Sequence, residues 1–228
     1  MKVFCCLFFT AFCCGVVHCS TTEESPYNKD VRMIAQLRQL AEEPDQLAKL
    51  KRAVLNVCPE SGEKLEKAYM KMRECISSTD LEAETMCSFV KNHVEKCSRP
   101  IISMLEQCLP DKSKDLPSFL MKSAVSSIRY VCKIDGEHLF ELQNPCLLNG
   151  LKRRCILKTQ SKMQQYVSNT PSKQELCDFL SSLRFCLKSH VDSSCRHPIT
   201  KEAFMNLFDT SFSLCETTDE SFNEVEQF

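Results

Sequence analysis

Residues 170–195 read TPSKQELCDFLSSLRFCLKSHVDSSC and contain the most regular helical pattern in the chain. Ser172, followed three residues later by Glu175, predicts an N-terminal capping box. Apolar side chains then recur every three or four residues, which is the spacing of one face of an α-helix. They are Leu176, Phe179, Leu180, Leu183, Cys186 and Leu187. The stretch therefore predicts an amphipathic helix that begins near Ser172.

Cys177, Cys186 and Cys195 follow one another at intervals of nine residues. Nine residues of α-helix rise by about 13.5 Å and rotate about half a turn beyond whole turns. A disulfide needs Cα atoms only about 4.4–6.8 Å apart. If two of these cysteines lie on one helix, they cannot bind each other. We therefore expect a central helix bridged on both sides, and the spacing leaves the pairing open.

The whole chain outside its N-terminus is rich in cysteine and poor in glycine. An even number of cysteines behind a secretory leader predicts a disulfide framework. Because sheet proteins use glycine in their tight turns, four glycines in 228 residues favour helices. We predict an all-α, single-domain, disulfide-stapled bundle of short helices. Its bridge-forming residues are Cys58, Cys75, Cys87, Cys97, Cys108, Cys132, Cys146, Cys155, Cys177, Cys186, Cys195 and Cys215.

The first 19 residues, MKVFCCLFFTAFCCGVVHC, have the composition of a secretory signal peptide. Lys2 supplies the positive charge of the N-terminal region of a signal peptide. The apolar run that follows is too short for a membrane span. We place cleavage before Ser20. The predicted divisions are a signal peptide over 1–19, a flexible segment over 20–29, a cysteine-rich helical domain over 30–215 and a disordered acidic tail over 216–228. The predicted location is extracellular.

Other helix boundaries follow from capping residues and prolines. A first helix is expected from Asp30 and a second from Pro44. Thr79 and Glu82 predict a capping box, after which a helix runs to Pro100, where we expect it to end. Asn144 followed by Pro145 predicts another helix start.

Charge and spacing exclude several classes of partner and cofactor. The chain has 29 Lys and Arg residues against 30 Asp and Glu residues, and the leader removes Lys2. Nucleic-acid binding requires a basic surplus, so we expect none. We also expect no membrane span. Because no C-x2–4-C pair occurs after the leader, the sequence predicts neither a zinc site nor a redox motif, and no cofactor.

Histidines are the strongest candidates for catalysis, and none has a convincing catalytic context. His93 has apolar neighbours on a predicted helix and reads as a core residue. His138 follows Asp135 by three residues, which favours a local helix cap over a catalytic dyad. Neither G-x-S-x-G nor H-E-x-x-H occurs. We predict no catalytic residue and no enzyme. The catalytic alternative is a hydrolase that uses His93, His138, His190 or His197.

Three further motifs invite a functional interpretation. Phe204, Phe208 and Phe212 fit a helix core, although helical bundles can also hold a lipophilic cavity. Lys152-Arg153-Arg154 fits either a protease processing site or a solvated helix face, and the surrounding pattern favours the latter. Asp135–Gly136 fits either a binding turn or a helix terminator that needs a permissive backbone, and the terminator is the simpler interpretation.

One segment resembles the 27-kDa haemolymph glycoprotein family, secreted proteins of insects and other arthropods. It is Tyr130-Val131-Cys132-Lys133-Ile134-Asp135-Gly136-Glu137-His138-Leu139-Phe140, followed by Asn144-Pro145-Cys146. The likeness extends over about 55–215 through Cys58-Pro59, Cys108-Leu109, Pro198, Phe204 and the cysteine series. It implies residence in haemolymph, venom or saliva and no established activity. The chain departs from it by lacking any N-x-[ST] glycosylation sequon.

Together these features predict a secreted, non-catalytic protein that binds an unidentified extracellular ligand or partner protein. The alternative is a venom or salivary effector on the same scaffold.

Overall fold

The structure is a computed structural model that describes residues 48, 51–52, 54–55, 57–80, 83–148, 155, 162, 165–166 and 169–215. Several sequence predictions lie outside these residues. They are the signal peptide 1–19, the segment 20–29, the helix from Asp30, the helix start at Pro44, the capping residue Glu82, the basic run Lys152-Arg153-Arg154 and the tail 216–228.

Every regular element within the described ranges is helical. The α-helices are α1 (Gly62–Ser77), α2 (Met86–Phe89), α3 (Glu95–Cys108), α4 (Leu116–Val131), α5 (Gly136–Glu141), α6 (Pro145–Leu148), α7 (Lys173–Ser194) and α8 (Pro198–Phe212). A π-helical turn, Val90–Val94, joins α2 to α3 without a break, and short 3₁₀ turns occur at Pro59–Ser61, Asp111–Ser113 and Ser213–Cys215.

Six disulfides connect these helices and use all twelve cysteines of the described residues. They are Cys58–Cys108, Cys75–Cys97, Cys87–Cys132, Cys146–Cys195, Cys155–Cys186 and Cys177–Cys215. The prediction of an all-α, disulfide-stapled fold is confirmed.

The apolar core consists of several clusters between helix pairs. On one side α1 packs against α3, and Leu65, fully buried, contacts the cluster that contains Met104 and Leu105. On the other side α8 packs against α4, where Ser127 Oγ lies 2.6 Å from Ser211 Oγ in a buried contact. Small polar residues here let the two helices approach closely.

The start of α7 has the predicted capping box. The Ser172 hydroxyl accepts a hydrogen bond from the Glu175 amide at 3.1 Å, and the Glu175 carboxylate accepts from the Ser172 amide at 2.7 Å. The predicted cap at Asn144 is also present, because its side-chain oxygen accepts from the Cys146 amide at 3.1 Å. Both predictions are confirmed.

The helix start predicted at Thr79 is wrong. The Thr79 hydroxyl donates back to the Cys75 carbonyl at 3.1 Å and so completes the end of α1. The next helix begins at Met86, with Thr85 as its N-cap accepting from the Ser88 amide at 3.2 Å.

The helix end predicted at Pro100 is also wrong, because Pro100 lies inside α3. A proline inside a helix removes one backbone hydrogen bond, which local propensity disfavours. Here Cys97 and Cys108 fix the helix to neighbouring segments on both sides of the proline. Tertiary cross-links therefore override the local preference.

Candidate functional site

The first turn of α5 contains the Asp135–His138 pair that the sequence singled out. Asp135 is the N-cap residue, and its carboxylate accepts from the His138 amide at 3.0 Å and from the His138 ring Nδ1 at 2.9 Å. The predicted local cap is confirmed. Gly136 does not have a left-handed φ, and a Cβ there would meet nothing within 4 Å. The interpretation of Asp135–Gly136 as a terminator that needs glycine is therefore wrong, since the pair starts a helix.

These contacts shift the pKa values of both Asp135 and His138. Hydrogen bonds from the His138 amide and ring lower the pKa of the Asp135 carboxyl. The bond to Asp135 raises the pKa of the His138 imidazole, and the nearby Glu202 and Glu137 carboxylates add to that rise. Among the described residues, no hydroxyl or thiol is hydrogen-bonded to His138 Nε2.

The opposite end of α5 is fixed by Glu141. Its carboxylate accepts hydrogen bonds from the Thr200 hydroxyl and from the Asn144 amide group, the latter at 3.0 Å. Both hydrogen bonds lower the pKa of the Glu141 carboxyl, and the one from Thr200 has the larger effect. Thr200 is fully buried at the start of α8. Sequence reasoning missed this contact, because Glu141 and Thr200 are 59 residues apart and no motif joins them.

The remaining histidines each have a separate environment. His93 Nε2 lies 2.8 Å from the Glu84 carboxylate, and its ring stacks on Phe89. His190 is buried, and its ring nitrogens lie near the Leu147 carbonyl and the Ser194 hydroxyl. These two positions fit the role of satisfied structural side chains.

His197 is exposed at the N-cap of α8, and its side chain makes no capping hydrogen bond. Across the residues that the structure describes, no three His, Cys, Asp or Glu side chains lie close enough together to hold a metal ion.

The three phenylalanines of α8 lie against the core. Phe204 packs against the clusters around Leu142 and Leu147. Phe208 and Phe212 pack against Phe179 and Leu180 of α7. The rings of Phe208 and Phe212 therefore occupy space between α7 and α8.

Large apolar side chains are exposed elsewhere. On α5, Phe140 is 73% exposed and adjoins Leu139, and this helix buries none of its residues. Phe185 on α7 and Met70 on α1 are also exposed.

Two shallow surface hollows lie on the described part of the chain. One, of about 510 Å³, is lined by Phe185, Lys188, Ser189, Asp192 and Ser193 on α7. The other, of about 350 Å³, is lined by Ser126, Arg129, Tyr130, Lys133 and Thr210. Within the described ranges, no helix has both the length and the apolar character to cross a bilayer.

The fold and these sites define a disulfide-stapled, all-α domain whose Asp–His pair acts as a helix cap. A family model described as a protein of unknown function (DUF1397) matches residues 79–218. Since that is more than half of the 228 residues, the chain belongs to this family. No curated protein and no solved structure matches the chain significantly.

Proposed function

We propose that this chain is a secreted, non-catalytic protein of the haemolymph type that acts by binding a partner protein in an extracellular fluid. The pairing of all twelve cysteines in the described residues carries the proposal. Disulfides persist in oxidising compartments and are rare in the cytosol. The resemblance around Tyr130–Phe140 and the apolar leader agree with this assignment.

The environments of the histidines favour a binding function over a catalytic one. The His138 ring contacts the Asp135 carboxylate in a helix cap. The rings of His93 and His190 contact the Glu84 carboxylate and the Leu147 carbonyl. A protein partner is favoured over a small lipophile because the α8 phenylalanines occupy space between helices.

The best-supported contact surface is α5. Leu139 and Phe140 lie side by side on it, and its two ends are fixed by Asp135 and by Glu141. Exposed aromatic side chains often contribute most to protein interfaces, and here the helix that carries one is held at both ends.

Secretion is tested by expressing the full chain, with its leader, in a eukaryotic secretory cell line. We expect to find the protein in the medium, with its cysteines oxidised and its N-terminus at or near Ser20. Retention inside the cell with free thiols would overturn it. The tissue that contains the transcript then separates haemolymph from venom or saliva.

Binding is tested by adding tagged chain to the native fluid and measuring its complexes by cross-linking and size. We expect Leu139→Ser with Phe140→Ser to abolish a complex that the wild type forms. Met70→Ser, at an exposed apolar position on α1, is the control and should retain the complex. Lipid released from the wild type by organic solvent, with no protein complex, would contradict the proposal.

A further inference from the structure

The six disulfides differ in their access to solvent. Five contain at least one cysteine in the core: Cys58, Cys97, Cys155, Cys177 and Cys195 are all buried. In the sixth, Cys87–Cys132, both cysteines are exposed. Thiol–disulfide exchange requires a thiolate to reach a sulfur atom, and the exposure of both residues sets this bridge apart from the other five.

The surface beside Cys132 has two exposed cations that can bind an anionic ligand, and the Glu202 and Asp135 carboxylates lie near Tyr130 on the same surface. Arg129, one helical turn earlier, and Lys133, the next residue, are both exposed and have no ion-pair partner among the described residues. They line the hollow of about 350 Å³, together with Ser126, Tyr130 and Thr210. Two cations and several hydroxyl groups suit a small molecule that carries carboxylates.

One cysteine of this bridge lies near the start of a helix, and the other lies at the end of a different helix. Cys87 is in the first turn of the continuous helical run 86–108, with the exposed Lys91 one turn further on. Cys132 is the C-cap residue of α4. A helix N-terminus stabilises a thiolate, whereas a helix C-terminus does not. Lys91 adds to this effect at Cys87, whereas the charges of Arg129 and Lys133 beside Cys132 are neutralised by the carboxylates of a bound anionic ligand. Cys87 is therefore the better leaving group, and Cys132 is the sulfur that an incoming thiolate attacks.

We propose that the Cys87–Cys132 bridge is an exchange site for an anionic low-molecular-weight thiol of the glutathione class. The thiolate of that molecule attacks Sγ of Cys132, the Sγ–Sγ bond breaks, and its electron pair leaves on Sγ of Cys87. The products are a mixed disulfide at Cys132 and a Cys87 thiolate. The reverse attack by Cys87 on Cys132 expels the small thiol and restores the bridge.

The exchange changes the protein locally. Opening this bridge frees the start of α2 from the end of α4. Phe89 and Val90 still pack against Val125 beneath it, and the other five bridges stay closed. The domain remains folded while a new anionic group and a reactive thiolate are present on its surface. This property does not depend on the proposed partner protein.

Peptide mapping of the oxidised full chain after a brief incubation with reduced glutathione tests the proposal. Free thiols are trapped with an alkylating reagent before digestion. We expect the glutathione adduct on Cys132 and the alkyl label on Cys87, before any change at the other five bridges. Earlier opening of another bridge, or an adduct found first on Cys87, would overturn the assignment.

A second arm tests the charge preference by comparing glutathione with cysteamine, a cationic thiol, at equal thiolate concentration. Exposed ion pairs should favour glutathione by about two- to fivefold. Arg129→Glu with Lys133→Glu should remove or reverse that preference. Lys64→Glu with Lys67→Glu, on the exposed face of α1, changes the net charge equally and should leave it intact. Equal rates for the two thiols in the wild type would contradict the anion-binding part.

Discussion

Cys177 and Cys186 lie on the same helix, α7, and their bridges lead to different parts of the chain. Cys177 binds Cys215, just after α8, and Cys186 binds Cys155. The residue that follows α7, Cys195, binds Cys146 in α6. This helix is thus covalently tied to three separate segments, so the C-terminal half of the fold is organised around it.

Removal of the Cys177–Cys215 bridge should destabilise the protein more than removal of Cys87–Cys132. The sequence separations, 38 and 45, are similar, so chain entropy contributes about 4 kcal/mol in each case. Buried Cys177 also packs near Leu116 and Phe119, which adds about 1 kcal/mol. Denaturant unfolding of Cys177→Ala/Cys215→Ala and Cys87→Ala/Cys132→Ala measures the difference; equal losses would contradict this prediction.

The capping box should contribute measurably to the stability of α7. Replacing Ser172 by Ala leaves the Glu175 amide without its side-chain acceptor, and we expect a loss of about 1 kcal/mol in the free energy of unfolding. Ser181→Ala, at an exposed position within the same helix, is the control and should change stability by less than about 0.5 kcal/mol. Urea denaturation compares them, and similar effects would argue against the cap.

Leu65 should be among the residues least tolerant of truncation. Leu65→Ala removes a fully buried side chain between α1 and α3, and we expect a cost of about 2–5 kcal/mol. Phe185→Ala deletes a larger side chain that is 79% exposed, and it should cost less than about 0.5 kcal/mol. Thermal unfolding ranks the two variants, and a more harmful Phe185→Ala would show that this core is misplaced.

The Asp135–His138 cap should make stability depend on pH. The raised pKa of His138 means that its contribution is complete below its unfolded value of 6.5 and is lost as pH rises through the folded value. The lowered pKa of Asp135 means that its contribution is present above 3.8 and is lost as pH falls through the folded value.

Unfolding midpoints at about pH 5.5 and about pH 8.5 test this dependence. His138→Gln should reduce the fall in stability between these two pH values. Ser181→Ala, at an exposed position on α7, should retain it. An unchanged pH dependence in His138→Gln would show that the pair does not titrate as described.

Local features of this fold were predictable from sequence because their partners are close along the chain. Ser172 and Glu175 are three residues apart, as are Asp135 and His138, and a short helical turn determines both contacts. The all-helical class followed from the periodicity and from the scarcity of glycine.

Long-range features were not predictable by the same reasoning. The Glu141–Thr200 contact spans 59 residues and leaves no pattern in the sequence. The bridge partners of Cys177 and Cys186 stayed open because spacing can only exclude a bond between the two. Pro100 was misinterpreted for a related reason: the cross-links that keep it inside a helix are formed by distant residues.

Counting free thiols tests the central claim most directly. The mature protein, purified without reductant, is denatured and alkylated unreduced, and its mass is measured before and after reduction. We expect no alkylation of the twelve cysteines from Cys58 to Cys215 until a reductant is added. Labelling of most of them without reduction would contradict both the cross-linked fold and the proposed extracellular role.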